Sequence, residues 1–263
     1  MIEARRLTKR YGDLVAVEDV SFSLARGEVV GFLGPNGAGK TTTMRMLTGF
    51  LPATDGTALI AGHDIFADPI AARRAIGYLP ETPPLYPEMT VQSFLAYVAR
   101  IKDVPRAGRR TAVDRALERT ALTDVRRQVI GTLSRGYRQR VGLAQAIVHS
   151  PPVLILDEPT AGLDPLQIRE IRALLAELTA ASQGDTQQTV ILSTHILAEV
   201  DAICRRVILI NQGRKVVDAP LSELTSGGRT LDQIFTEHTA RDAVSAAASP
   251  SEATDGSEAG IAP

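Results

Sequence analysis

The sequence predicts an α/β fold: a mainly parallel sheet, preceded by antiparallel N-terminal strands and interrupted by an inserted helical subdomain. Three observations predict it. The apolar run Val29–Leu33 leads into the glycine-rich stretch GPNGAGKTT and then into a helical segment, the strand-turn-helix order of a parallel layer. A second apolar run, VLIL at 153–156, suits a strand buried on both faces and ends in Asp157 and Glu158. Lys40 and Asp157 stand 117 positions apart, too far for one strand-helix-strand step, and most of that interval carries helical periodicity.

Taken in order, residues 2–33 hold alternating or apolar runs broken at Tyr11-Gly12-Asp13 and Arg26-Gly27-Glu28, which reads as three strands. A helix is expected over 42–47. Asp55-Gly56 then introduces a short strand at 57–61, and 74–79 leads into another. After Leu79 the strand signal fades, and helical patterns run over 91–101, 109–120 and 138–148, placing the helical subdomain at about 82–150. The core resumes at 153 and takes a last apolar run at 189–192, ending in Ser193-Thr194-His195. Residues 239–263 are mostly Ala, Ser, Gly, Pro, Asp and Glu, too poor in apolar side chains to offset ordering, so a disordered tail is expected there.

Composition excludes several classes. The 263 residues carry a formal net charge of -1, which leaves no overall electrostatic footprint for nucleic acid, and a DNA or RNA partner is not favoured. One cysteine, Cys204, cannot form an internal disulfide, and the opening MIEARRLTKRYG is charged rather than a secretion signal. No apolar run approaches the ~20 residues of a membrane-spanning helix. The expectation is a cytoplasmic chain whose membrane, if any, is spanned by another chain. Between Arg100 and Arg127 nine Lys or Arg face four acids, either a solvated face or an attraction to anionic lipid headgroups.

The chemistry is concentrated in three strings. In GPNGAGKTT, comprising Gly34, Pro35, Asn36, Gly37, Ala38, Gly39, Lys40, Thr41 and Thr42, the glycines permit a tight turn whose N–H groups point at a polyphosphate. Lys40 supplies a point charge for the β- and γ-phosphates, Thr41 a hydroxyl for Mg²⁺, and the following helix its positive end. Asp157 and Glu158 leave the second strand at its carboxyl end, where parallel sheets bind ligands. Asp157 suits the Mg²⁺ shell, and Glu158 the orientation or deprotonation of the attacking water. His195, at the end of a third core strand, is placed to donate to the γ-phosphate. His63, His149 and His238 have no supporting motif. Tyr11 at its turn suits either packing or stacking on adenine.

With these strings in the same order, the chain resembles the ATP-binding subunit of ABC transporters over residues 2–235. KRYG matches the A-loop, GPNGAGKTT the Walker A motif, GYLPE the Q-loop, LSRGYRQR the signature, VLILDEPT the Walker B motif, AGLD at 161–164 the D-loop and STH the switch histidine. The resemblance implies a P-loop NTPase core with ATP and Mg²⁺ as cofactors, and makes Tyr11 an adenine-stacking residue. It implies two subunits, identical or paralogous, meeting head to tail, each ATP held between the Walker A of one and the signature of the other. It also implies a separate transmembrane permease holding the chain at the cytoplasmic side of the membrane.

Two departures matter. The Q-loop glutamine is Glu81, which can accept but not donate; it still suits Mg²⁺ or its water, and a basic partner group is expected to compensate it. The signature reads Leu133-Ser134-Arg135-Gly136-Tyr137, keeping the hydroxyl of Ser134, the N–H of Gly136 and a helix start near Tyr137. Arg135 would either add charge to the sandwich or project into solvent. GYLPE with its proline-rich sequel, SRGYRQRVGLAQA and RTLDQIFTEH resemble the ABC-2 exporter branch, of gliding-motility or drug-resistance type. The rival class, a soluble ATPase of this kind acting on ribosomes or DNA, is disfavoured by the single nucleotide module and the absence of heptads.

Overall fold

The computed structural model describes residues 1–180 and 188–246. Alternate side chains of one sheet feed two different cores. Val153 and Ile155 point into a cluster shared with Val30, Phe32, Ile191, Ile208 and Met44, whereas Leu154 and Leu156 join Leu33, Leu192, Leu209 and the helices beyond. A strand with period-two side chains and apolar residues at every position must be covered on both sides. That is why VLIL is continuous rather than alternating.

Strands β1 (Ile2–Tyr11) and β2 (Leu14–Leu24) pair antiparallel across the Gly12 turn, and β3 (Val29–Leu33) departs into the second sheet. Helix α1 (Lys40–Leu47) follows, then β4 (Asp55–Ile60), β5 (His63–Asp64), α2 (Pro69–Arg74) and β6 (Ile76–Leu79). The helical lobe comprises α3 (Val91–Ile101), α4 (Arg109–Arg119) and α5 (Arg135–Ile147). The chain re-enters the sheet as β7 (Val153–Asp157) and continues through α6 (Pro165–Ala180), β8 (Thr189–Thr194) and α7 (Leu197–Ile203). It closes with β9 (Arg206–Asn211), β10 (Arg214–Pro220), α8 (Leu221–Leu224) and α9 (Leu231–Ala246).

The antiparallel sheet has the order β2-β1-β4-β5, and the larger sheet β10-β9-β3-β8-β7-β6. From β9 to β6 every pairing of the larger sheet is parallel. Strands β3, β8 and β7 are neighbours, so the residues that follow them emerge side by side.

Helix α1 starts two residues before the expected 42 and β4 two before the expected 57, and three further differences separate the structure from the sequence reading. The run at 189–192 is not the last: β9 and β10 form a hairpin whose turn residues Gln212 and Gly213 both have positive φ (48° and 76°). That turn matches the twist of flanking strands, and the signal was present in NQGR between two apolar runs. Helix α5 begins at Arg135 rather than Tyr137, because Ser134 acts as its N-cap and accepts from the Tyr137 N–H. Helix α9 runs through Ala246, eight residues beyond His238; the remaining residues of the expected tail, 247–263, lie outside the described residues.

The lobe is welded to the sheet rather than tethered. Phe94, Leu95, Val113, Leu117 and Val141 are buried in the same cluster as Leu154 and Leu192. Pro83 fills the space left by the absent side chain of Gly142 on α5, where a Cβ would come within 2.6 Å of the ring. Tyr86, on the same loop, stacks edge-on against Phe94 and Tyr97 with centroids 5.9 and 5.7 Å away.

Candidate active site

The glycine-rich turn delivers α1 in a fixed orientation. Gly39 caps that helix at φ 100°, a conformation L side chains rarely adopt, and a Cβ there would come within 2.6 Å of the Ala16 carbonyl. The turn therefore packs tightly against β2. Its residues Asn36, Gly37, Gly39, Lys40, Thr41 and Thr42 line a cavity of about 440 Å³, together with Ala16, Glu81, Glu158, Ala161 and His195. Six of the nine motif residues face this space directly.

Lys40 is 6% exposed, and its Nζ donates to the carbonyls of Gly34 (2.8 Å) and Pro35 (3.1 Å) while lying 3.4 Å from Glu158 Oε1. The other Glu158 oxygen, Oε2, is 2.9 Å from His195 Nδ1. A buried carboxylate thus bridges the lysine and the histidine across the mouth of three adjacent strands. Glu158 itself sits at φ 48°, and its N–H is anchored on the Ser193 carbonyl at 2.8 Å. A non-glycine residue in the left-handed region is strained, and the bond to β8 helps hold it there.

Asp157 lies beneath, fully buried. Its Oδ1 accepts from the hydroxyls of Ser193 (2.9 Å) and Thr41 (3.4 Å), and Oδ2 has no hydrogen-bond partner among the described residues. Burial raises its pKa above the usual carboxylate range; the two hydroxyls oppose that, and the charges of Glu158 and Glu81 add to it. An orphaned carboxylate oxygen in the interior is costly unless a cation or donor meets it. The donor set around it is oxygen only, and no group of three His, Cys, Asp or Glu gathers to hold a metal among the described residues. That pattern fits Mg²⁺, which takes one or two protein oxygens and completes its shell with water and phosphate.

The other expected site residues sit elsewhere. Gly34 and Pro35 reach Lys40 through their carbonyls, and Ala38 is buried behind the turn. Tyr11 does not line the cavity; its ring is 49% exposed, with Lys9 Nζ 5.3 Å from the centroid. Ser134 and Gly136 also lie outside it, at the start of α5, where a Cβ on Gly136 would come within 2.9 Å of the Gln167 side chain. Arg135 takes a third placement: exposed, yet donating through its guanidinium to the Ala161 carbonyl at 2.9 Å.

Sequence reasoning missed Ala16 and Ser193, which enter through tertiary packing. It also missed Glu199, four residues after His195, which is 1% exposed and accepts from the Thr160 hydroxyl just beyond Glu158. An acid on the apolar face of α7 was the available signal. Of the nine basic residues in 100–127, Lys102 donates to the carbonyls of Arg73 and Ile76, Arg109 to Val104, and Arg126 pairs with Asp114 at 2.8 Å. Fewer cations are therefore free for lipid than the count suggests.

Comparison with known proteins agrees with this geometry. A family model described as ABC transporter matches residues 17–161, and one of an AAA domain matches 123–201. The chain is 36% identical over 229 residues to a bacitracin transport ATP-binding protein of Bacillus licheniformis, covering 87% of this chain and 72% of that one. It is 34% identical over 236 residues to a linearmycin resistance ATP-binding protein of Bacillus subtilis, covering 89% and 74%. A solved ATP-binding subunit of an ABC transporter superposes with a TM-score of 0.79 at 30% identity, covering 90% of this chain and 98% of that structure.

Proposed function

This chain belongs to the ABC transporter family, as an ATP-binding and ATP-hydrolysing subunit, and we propose that it powers a separate ABC-2 type permease of the exporter branch through an ATP-driven head-to-tail dimer. One observation carries the reading: Lys40, Glu158 and His195 form a continuous polar chain around a cavity floored by the glycine-rich turn, with Asp157 and Thr41 beneath.

The roles follow from the contacts. Lys40 exchanges the Gly34 and Pro35 carbonyls for β- and γ-phosphate oxygens, while turn N–H groups and the α1 N-terminus hold the rest of the chain of phosphates. Glu158 orients the attacking water and receives its proton, and His195 on the same carboxylate reaches the γ-phosphate. Thr41, Asp157 and Glu81 would hold Mg²⁺, which would supply positive charge against the phosphates. Tyr11 stacks on adenine from the exposed end of β1.

Ser134, exposed, and Gly136, buried beside Gln167, stand at a helix start away from this cavity, so a second copy, or a paralogue, must bring its own pair to complete each site. Residues 2–235 act as the nucleotide-binding domain, with the subdomain at about 82–150 and the loop after Glu81 meeting the permease. Tyr86 suits that contact, being 45% exposed outward and stacked inward on Phe94 and Tyr97. No helix among the described residues is long and apolar enough to cross a membrane, which fits a peripheral subunit at the cytoplasmic face.

The test is sedimentation of the Glu158→Gln chain with MgATP, followed by co-purification from detergent-solubilised membranes. The reading expects an ATP-dependent dimer and a co-purifying polytopic membrane protein. A chain that stays monomeric at saturating ATP, or that recovers only ribosomes or nucleic acid, overturns it.

A further inference from the structure

The geometry points to Arg135 as a positioning residue that ties the signature of this chain to its own Glu158, and so couples the two ATP sites of a dimer. This rests on the head-to-tail reading above. The start of α5 grips the 161–167 segment at two points. Arg135 Nη2 donates to the Ala161 carbonyl at 2.9 Å, and one residue on, Gly136 bears directly on the Gln167 side chain. Gln167 is itself fixed, its N–H donating to Asp164 Oδ1 at 2.9 Å.

From Ala161 the connection continues inward. Its N–H donates to the Glu158 carbonyl at 3.0 Å, and its side chain borders the cavity beside Glu158. The Glu158 carboxylate in turn holds Lys40 and His195. Arg135, next to Ser134, is thus joined to the main-chain carbonyl of the hydrolytic Glu158 by two hydrogen bonds through one turn. A charged donor on a carbonyl is among the stronger neutral-acceptor bonds, and its planar fork fixes direction as well as distance.

The residue at 162 matches that at 135. Gly162 has φ +66°, and a Cβ there would collide with the Arg135 guanidinium. The long donor and the bare turn therefore form a pair: a side chain at 162 would displace the guanidinium. When a triphosphate from a second copy engages Ser134 and Gly136, the helix start moves, and Arg135 carries the movement to Ala161 and Glu158. A surface arginine without that role would leave turnover unchanged.

The test is steady-state ATP hydrolysis by the full chain with Mg²⁺, comparing wild type, Arg135→Gln, Gly162→Ala and the double variant. Each single variant should lower kcat roughly tenfold with KM within about twofold, and should lose cooperativity in ATP. The double should be no more than about twofold below the poorer single, because both remove one contact. Losses that multiply in the double, or a kcat for Arg135→Gln within about twofold of wild type, overturn the coupling.

If Gly162→Ala fails to fold by thermal unfolding, Arg135→Gln decides alone through its kcat and its ATP cooperativity. Sedimentation separates the two layers of the argument. ATP-driven dimerisation of Glu158→Gln should survive added Arg135→Gln at similar ATP; a requirement for about tenfold more ATP would place Arg135 on phosphate instead and refute the positioning role. If Glu158→Gln alone fails to dimerise, the head-to-tail reading falls, and the coupling with it.

Discussion

Lys40 shows how much of the site a single residue type can announce. A lysine after a glycine-rich turn is legible because the string itself fixes its environment: the turn makes the cradle, and the cradle needs a charge. Asp157, Glu158 and His195 were legible for a similar reason, since each ends an apolar run that had to be a buried strand. Ala16 was not, because nothing in its own neighbourhood says that a distant turn will lean on it, nor was Ser193, whose partners Asp157 and Glu158 come from the end of the neighbouring strand. Gly39 gives the sharpest test at this scale. With φ at 100° and the Ala16 carbonyl in the path of any side chain, Gly39→Ala must move the turn. We expect a loss of about 1–3 kcal/mol in urea unfolding, and at least tenfold weaker binding in a fluorescent-ATP titration. Unchanged affinity would show that the turn does not form the phosphate cradle. Cys204 makes the opposite prediction: burial pushes its thiol up to about 12, so it should resist alkylation until the chain unfolds.

Among the elements, the junction of α5 with β6 carries a pH dependence. His149, just past the end of α5, has Nε2 3.1 Å from the Ile76 carbonyl and Nδ1 buried with no partner among the described residues. Burial, and the nearby Lys102 ammonium, lower its pKa to about 4. The ring is therefore neutral in the fold, whereas in the unfolded chain it takes a proton near pH 6.5. The unfolded state binds more protons between these values, so this stability is fully present above about pH 6.5 and is lost as pH falls toward 4. His149→Gln should reduce the drop in unfolding free energy between pH 7 and 4.5 by about 2 kcal/mol. An unaltered pH profile would mean that the imidazole is not buried as described.

The elements also show where sequence patterns stop. Strands β3, β7 and β8 were legible because both faces are buried and their apolar runs are continuous. The β9–β10 hairpin was missed because β10 is an edge strand with no buried side chain and charged residues flanking its two valines, so its apolar run is short. The start of α5 was misplaced by two residues because Ser134 was read as a phosphate contact rather than as a cap. It is a cap here, and the hydroxyl is exposed enough to serve both ends. Gly142→Ala should test the packing of the loop after Glu81 on α5: with Pro83 within 2.6 Å of any added Cβ, we expect destabilisation of about 1–3 kcal/mol by chemical denaturation. A stability equal to wild type would show that the loop is free of the helix.

For the whole molecule, one sheet with two covered faces brings three strand ends to one edge, and that edge is where the chemistry is built. The fold class was readable because its cause, continuous apolar runs separated by a long helical interval, is written locally. The arrangement of Arg135 over Gly162 was not, because it joins segments that the sequence separates by a helix and a strand. The central claim is that the carboxylate on Lys40 and His195 drives hydrolysis. Phosphate release from MgATP, measured alongside nucleotide binding, tests it most directly. Glu158→Gln should lower release by about a hundredfold or more while binding ATP within about threefold of wild type. Release within a few-fold of wild type would contradict the account, since Glu158 would then be a strand-end acid with no part in the reaction.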